Sequence, residues 1–269
     1  MVLVTWVKNN PCNQYHLEGH LLPSVESEKD LGVWISNDWN FREHILTSIG
    51  KANANIAWVA RTVISRSPQV MTQIYKTLIR PHLEYCVQLW SPLPKHGNWG
   101  LILDIENVQR SFTRMIDGIG LLTYEERLNK LDLTTLLERR ARGDLIETFK
   151  ILSGIADYGE KFFSLSRSGN NLVSRPGDEK STKHSFFSRR VIPYWNKLPS
   201  DVKLSKSVND FKNKLDRFRE NNVASGTSGN FWDLSIEIFS RIPSDNRKQY
   251  VDYMINNPQV AKCKFINVK

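Results

Sequence analysis

The stretch FREHILTSIGKANANIAWVARTV, residues 41–63, repeats its apolar side chains at helical spacing. They recur every three or four residues, at Phe41, Ile45, Ile49, Ala52, Ile56, Val59 and Val63. Side chains at this spacing share one face of an α-helix, whereas those of a strand alternate between two faces. Asn40, just before the stretch, is a residue type that caps helix N-termini. The stretch therefore predicts a long amphipathic helix that begins near Asn40.

Helical signals continue along most of the chain. Pro68 suits a first helical turn, and this second helix should end near Arg80 because Pro81 disfavours the α conformation in the residue before it. Thr123, with Glu126 three residues later, is typical of a capping box and predicts a short helix from Tyr124. Further helices are expected over residues 82–90, 101–117, 134–153 and 209–219.

The two ends of the chain and one internal segment differ from this pattern. Residues 1–36 alternate short apolar runs with turn residues, which predicts two or three strands. Residues 164–184 are rich in Ser, Gly, Asn and Lys and predict a mobile loop. The run ASGTSG, residues 224–229, predicts a flexible linker. The predicted fold is mainly α: a small N-terminal β hairpin or sheet, a helical bundle, a flexible loop and a helical C-terminal appendage.

The charge balance narrows the class of partner. The chain has 37 Lys and Arg against 28 Asp and Glu, a formal net charge of +9. Between Arg175 and Glu220, twelve basic residues stand against six acidic ones. Such an excess favours a polyanionic partner, because each phosphate contact releases condensed counterions. Charge alone does not choose between nucleic acid, a membrane surface and solubility.

Other classes of protein are disfavoured by the sequence. No apolar run approaches the roughly 18 residues that a membrane-spanning helix needs, and the opening residues lack the marks of a signal peptide. The three cysteines are far apart and suggest neither a disulfide framework nor a zinc pattern. We expect an intracellular protein, cytoplasmic or nuclear, with one or two domains and no membrane partner.

Metal and enzyme signatures are weak. His16, Glu18 and His20 alternate along one predicted strand face and could offer metal ligands, but the polar outer face of a hairpin explains the same spacing. The chain contains no Gly-rich phosphate loop, no Gly-x-Ser-x-Gly elbow and no two adjacent aspartates. We therefore assign no catalytic residue, no metal site and no cofactor.

Two arginine clusters are the candidate binding residues. The cluster ERRARGD, residues 138–144, could be a solvated helix face on which Glu138 and Arg142 support each other, or a ladder of phosphate contacts. Arg189 and Arg190 follow two phenylalanines, a combination typical of single-strand and hybrid binders, although the rings could instead be buried under a loop. The candidate nucleic-acid-binding residues are Arg139, Arg140, Arg142, Arg189, Arg190, Arg110 and Arg114.

Several motifs, in order and spacing, resemble one family. The main ones are EKDLGV at 28–33, IRPHLEYC at 79–86 with WSP at 90–92, and LERR at 137–140 with GDL at 143–145. Together with IENVQR at 105–110, YEERL at 124–128 and WNKLP at 195–199, they are similar to the C-terminal third of LINE-type, non-LTR retrotransposon reverse transcriptases of the jockey and chicken-repeat group. The resemblance covers residues 1–220. It departs from the family at Trp6-Val7-Lys8, where a His-x-Gly is usual.

The resemblance implies a non-catalytic chain. In this RNA-directed DNA polymerase family, paired aspartates of the palm hold the two metal ions of nucleotidyl transfer, and this sequence has no such pair. The resemblance implies four segments: a residual palm-like β segment (1–38), a thumb-like helical domain (39–160), a basic C-terminal segment (161–223), and a linker with a tail (224–269).

Two functions follow from these observations. One is a truncated or domesticated remnant that binds RNA or RNA–DNA hybrid nonspecifically. The alternative is a helical scaffold or interaction protein, or an unselected transposon-derived product, without nucleic-acid binding. Such a chain would associate with itself through apolar surface that the lost palm once covered.

Overall fold

The computed structural model describes Val2–Leu3 and residues 14–92, 98–156, 162–167, 169–173 and 186–224. The fold is mainly helical, as predicted. The helices are α1 (Arg42–Thr62), α2 (Pro68–Ile74), α3 (Arg80–Glu84), α4 (Val87–Trp90), α5 (Trp99–Thr113), α6 (Tyr124–Leu131), α7 (Leu136–Leu152), α8 (Phe187–Arg190), α9 (Ile192–Lys197), α10 (Ser200–Lys203) and α11 (Val208–Ala224). The predicted helical appendage beyond residue 224 lies outside the described residues.

Short strands precede the helices, which confirms the predicted N-terminal β segment. β1 (Val2–Leu3) pairs in parallel with β4 (Ser24–Val25), and β2 (His16–Leu17) pairs antiparallel with β3 (His20–Leu21). β5 (Ser27–Asp30) and β6 (Val33–Ser36) form an antiparallel hairpin. Its two turn residues, Leu31 and Gly32, both have positive φ, as a two-residue hairpin of the mirror-image turn type requires.

Helix α1 forms where the apolar period predicted it. The Asn40 side-chain oxygen accepts a hydrogen bond from the Arg42 backbone N–H at 3.0 Å, so a local polar group satisfies a donor that the first turn leaves open. The side chains that α1 buries are His44, Ile45, Ser48, Ala52 and Val59.

The second predicted helix does not end at Arg80, and this prediction was wrong. A π-helical segment, Tyr75–Ile79, follows α2, and α3 continues directly from it with Pro81 in its first turn. Proline normally clashes with the carbonyl four residues earlier. The π-helical segment has one more residue per hydrogen-bonded turn than an α-helix. Pro81 lies in the first turn of α3, where a backbone N–H has no partner within the helix.

The chain divides into two compact units. Unit 1 comprises residues 1–90 and 103–123, and unit 2 comprises residues 91–102 and 124–269. In unit 1, Tyr75 packs against Phe112 with ring centroids 5.4 Å apart, and its hydroxyl donates to the side-chain oxygen of Gln109. In unit 2, Phe211 stacks on Phe149 and Trp195. The four segment boundaries drawn from the sequence stay a prediction.

Part of the predicted mobile loop is ordered, which corrects that prediction. Leu165 and Leu172 form an antiparallel bridge, and Leu172 is buried in the core of unit 2. The Asn196 side chain accepts from the Leu172 N–H at 2.8 Å and donates to the Leu172 carbonyl at 2.9 Å. These two bonds satisfy the buried backbone of Leu172, which a compositional argument could not foresee. Residues 174–185 lie outside the described part.

Candidate functional site

Helix α7 carries the first arginine cluster, and a reciprocal cap fixes its start. The Thr135 hydroxyl accepts from the Glu138 N–H at 3.2 Å, and the Glu138 carboxylate accepts from the Thr135 N–H at 3.1 Å. Each of the seventeen residues of α7 is buried or half-buried. The helix therefore has no fully exposed face, although the side chain of Arg142 remains 30% exposed.

A buried ion pair of unit 2 joins α7 to α8. Arg190 Nε donates to Asp144 Oδ2 at 2.8 Å, and Arg190 Nη2 donates to Asp144 Oδ1 at 2.9 Å. The two side chains are 1% and 8% exposed. Burial raises the pKa of Asp144, while the charges of Arg190 and Arg140 act in the opposite direction.

This geometry corrects the predicted binding set. Arg190 and Arg140 are each only 2% exposed, so their guanidinium groups lie in the protein interior, where a phosphate cannot reach them. Phe187 packs edge-on against Phe163 at 5.7 Å, and the Arg190 guanidinium carbon lies 5.8 Å from the centre of the Phe187 ring. The Phe187 ring is half-buried and packs against the core of unit 2, which favours the alternative of packed rings considered from the sequence.

A second set of ion pairs joins α7 to α11. Arg142 donates from Nε and Nη2 to the two oxygens of Asp216, both at 2.7 Å. The hydrogen bond and charge of Asp216 raise the pKa of Arg142. Arg219 Nη2 lies 3.4 Å from Glu138 Oε2. Each residue of the expected Glu138–Arg142 pair is thus paired across helices instead, because the packed α11 supplies closer partners.

These pairs line a polar cleft of about 350 Å³ on unit 2. Arg142, Asp216 and Arg219 are between 29% and 42% exposed and Glu138 is 13% exposed, so the cleft reaches solvent. Three guanidinium groups balance three carboxylates in its lining, which consists of Thr134, Glu138, Arg139, Arg142, Asp216, Arg219 and Glu220. The arrangement offers both hydrogen-bond donors and anionic acceptors within one small volume.

Only two of the seven predicted arginines lie in the lining of the cleft. The structure brings Arg139 and Arg142 together in the cleft lining. Arg189 is half-buried and does not line this cleft. Arg110 is half-buried and Arg114 exposed, and both belong to unit 1. Asp216 and Arg219 were not predicted, and Asp144 was noted only as the end of the ERRARGD cluster. No local spacing could have identified their pairing, because the partners of Asp144, Asp216 and Arg219 are 46, 74 and 81 residues away.

The histidine pattern near the N-terminus does not form a common face. Glu18 and Gly19 make the turn between β2 and β3, and Glu18 has a φ of 51°. His16 pairs with Leu21, and His20 with Leu17. Across the described residues, no group of three or more His, Cys, Asp or Glu side chains is placed to hold a metal ion.

Two further findings concern the chain as a whole. No helix in its described part is both long enough and apolar enough to span a bilayer. Comparison of the sequence and structure with protein-family models, curated proteins and solved structures gives no match.

Proposed function

We propose that this chain is a non-catalytic module derived from the C-terminal region of a non-LTR retrotransposon reverse transcriptase, and that it binds RNA or RNA–DNA hybrid through the α7–α11 cleft. The observation that supports binding is the convergence of Arg139, Arg142 and Arg219 in one solvent-facing lining. The order of the motifs supports the origin, and the absence of paired aspartates from the sequence supports a non-catalytic role.

The pairing of Arg142 favours recognition of a phosphate. Asp216 uses Nε and Nη2 of Arg142 and holds the guanidinium plane in one orientation. A guanidinium has five donors in a planar fork, so Nη1 remains as a donor group for a phosphate oxygen. Holding the donor group in advance lowers the entropy that binding costs.

The carboxylates of the cleft limit the affinity. Glu138, Asp216 and Glu220 bring the formal charge of the lining to zero, so attraction at long range must come from the net charge of +9. We therefore expect weak binding that depends strongly on salt, because released counterions contribute most of its free energy.

A titration of the full chain with a labelled RNA–DNA hybrid tests the proposal. Fluorescence anisotropy should show binding at about 50 mM salt that weakens steeply towards about 200 mM. Arg139→Ala should weaken this binding more than Arg217→Ala, which removes the same charge from an exposed position outside the cleft lining. Absence of binding at about 50 mM salt would contradict the proposal.

One observation favours the second candidate, an interaction module. Large apolar side chains of unit 1 are exposed in the β segment, among them Leu17 at 64%, Leu21 at 54% and Leu31 at 85%. Exposed apolar side chains bind other proteins where they form one contiguous patch. Size-exclusion chromatography with light scattering should then give a dimer or larger species, and a monomer at all concentrations would argue against it.

A further inference from the structure

The lining of the α7–α11 cleft contains both hydrogen-bond donors and anionic acceptors, and a phosphate alone can pair only with the donors. Guanidinium donors attract a phosphate, whereas the carboxylates in the same lining repel it. A carboxylate accepts hydrogen bonds readily from hydroxyl groups. A ligand that carries a phosphate beside a hydroxyl donor therefore matches this lining better than an anion alone.

The three carboxylates of the lining differ in whether they already form hydrogen bonds or ion pairs within the protein. Glu138 caps α7 and pairs with Arg219, and Asp216 holds Arg142 through both oxygens. Glu220 is exposed and makes no ion pair with any of the residues that the structure describes. Glu220 is therefore the acceptor that a ligand hydroxyl can use without breaking an internal bond.

The size of the cleft limits the ligand. A volume of about 350 Å³ lies at the lower end of the range for small-molecule sites, so the cleft has room for one nucleotide unit of a strand. Within a nucleotide, the 2′-hydroxyl of ribose is a hydrogen-bond donor near a phosphate, and DNA lacks this group. The ligand chemistry that fits both the size and the lining is thus ribose phosphate.

We propose that the cleft binds one ribose-phosphate unit of an RNA strand, with the phosphate on Arg139 and Arg142 and the 2′-hydroxyl donating to Glu220. This inference rests on the nucleic-acid binding proposed above and makes it specific for RNA. The carboxylates lower the affinity for any polyanion, but they do so equally for RNA and DNA. The hydroxyl contact, which DNA cannot make, then provides the preference.

The experiment compares the affinities of the full chain for single-stranded RNA and single-stranded DNA. Labelled 12-nucleotide RNA and DNA of the same sequence, with deoxyuridine for uridine, are titrated at about 50 mM salt. RNA should bind about tenfold more tightly, the fold-change expected for one hydrogen bond to a charged group. A ribonucleoside 5′-monophosphate and its 2′-deoxy form are titrated in parallel and distinguish free nucleotide from an RNA strand as the source of the ribose phosphate.

Glu220→Gln is the decisive variant. Removing its negative charge should tighten the binding of both RNA and DNA. The ratio of RNA affinity to DNA affinity should fall towards one, because a weaker acceptor replaces the carboxylate. Glu125→Gln removes the same charge from an exposed position of α6 outside the lining and should leave the preference unchanged. Thermal unfolding of each variant verifies that the fold is retained.

The outcomes separate this inference from the proposed function. Equal binding of RNA and DNA by the native chain, or an unchanged preference in Glu220→Gln, overturns ribose recognition but leaves nucleic-acid binding intact. Absence of binding to RNA, to DNA and to the RNA–DNA hybrid overturns both, whereas binding of the hybrid alone overturns only the recognition of a single RNA strand. Tight binding of the free ribonucleotide, with no gain from the strand, keeps the ribose-phosphate site but overturns an RNA strand as its ligand.

Discussion

Arg190 of α8 and Asp144 of α7 form a bidentate ion pair inside unit 2, with two N–H···O distances of 2.8 and 2.9 Å across a sequence separation of 46 residues. Both side chains are almost fully buried. Removal of one partner from such a pair leaves the other charge in the interior without compensation. The pair therefore links two helices and makes each side chain necessary to the other.

Arg190→Ala should destabilise the chain strongly for this reason. We expect a loss of about 3–5 kcal/mol in the free energy of unfolding, measured by urea denaturation. Arg217→Ala, at an exposed position of α11, should change it by less than about 0.5 kcal/mol. Similar losses in the two variants would mean that the buried pair does not stabilise the fold.

Simultaneous replacement of Arg139, Arg142, Arg189 and Arg190 by Ala should unfold unit 2 or destabilise it severely. If all four arginines lay on solvated surfaces, their replacement would change stability little, because exposed charges contribute at most about 1 kcal/mol each. The burial of Arg190 reverses that expectation. Circular dichroism of the quadruple variant should show lost tertiary stability, whereas the variant that retains Arg190 and changes only Arg139 should keep the native melting temperature within a few degrees.

Stability should fall with acid because of His44. Its ring is 4% exposed and packs edge-on against Trp90, and its Nε2 is buried with no hydrogen-bond partner in the described part of the chain. Burial, and then the charges of Lys51 and Lys29, lower the pKa of His44 below its usual value. As the pH falls, the unfolded chain, in which the pKa of His44 is about 6.5, therefore takes up this proton at a higher pH than the folded chain does.

Protonation of His44 should lower the stability of the folded chain. Below about pH 6.5 protonation favours the unfolded state, so the melting temperature should decrease from there down to the lowered pKa of the folded state. His44→Asn retains an acceptor for the Trp34 N–H but does not titrate, and its melting temperature should vary less over this window. An identical pH profile in the native chain and the variant would contradict the assignment.

Thr135→Ala should cost about 1 kcal/mol of unfolding free energy, the usual effect of removing a helix cap. The Thr135 hydroxyl is the acceptor for the Glu138 N–H. Thr135→Ser retains this hydroxyl and should remain close to the native value. Glu138→Gln keeps the capping geometry but removes the charge near Arg219, so a loss larger than that of Thr135→Ala would show that the cross-helix pair stabilises more than the cap.

Elements whose cause is local could be predicted from the sequence. The apolar period of α1, the cap at Asn40 and the start of α6 at Tyr124 depend on residues within a few positions of each other. Local spacing sets which side chains share a face and which backbone groups need a cap, so these features follow without knowledge of the rest of the chain.

The sequence by itself thus determined a mainly helical chain with a small β segment and a basic charge, whereas only the tertiary structure decided what its arginines do. Glu138 and Arg142 have the spacing of an i, i+4 pair, but Glu138 pairs with Arg219 and Arg142 with Asp216. An exposed pair of that kind contributes only about 0.3–0.5 kcal/mol. A bidentate partner such as Asp216, or a buried ion pair such as that of Arg190, outweighs this small contribution. Both arise from helix packing, which depends on contacts between residues far apart in the sequence.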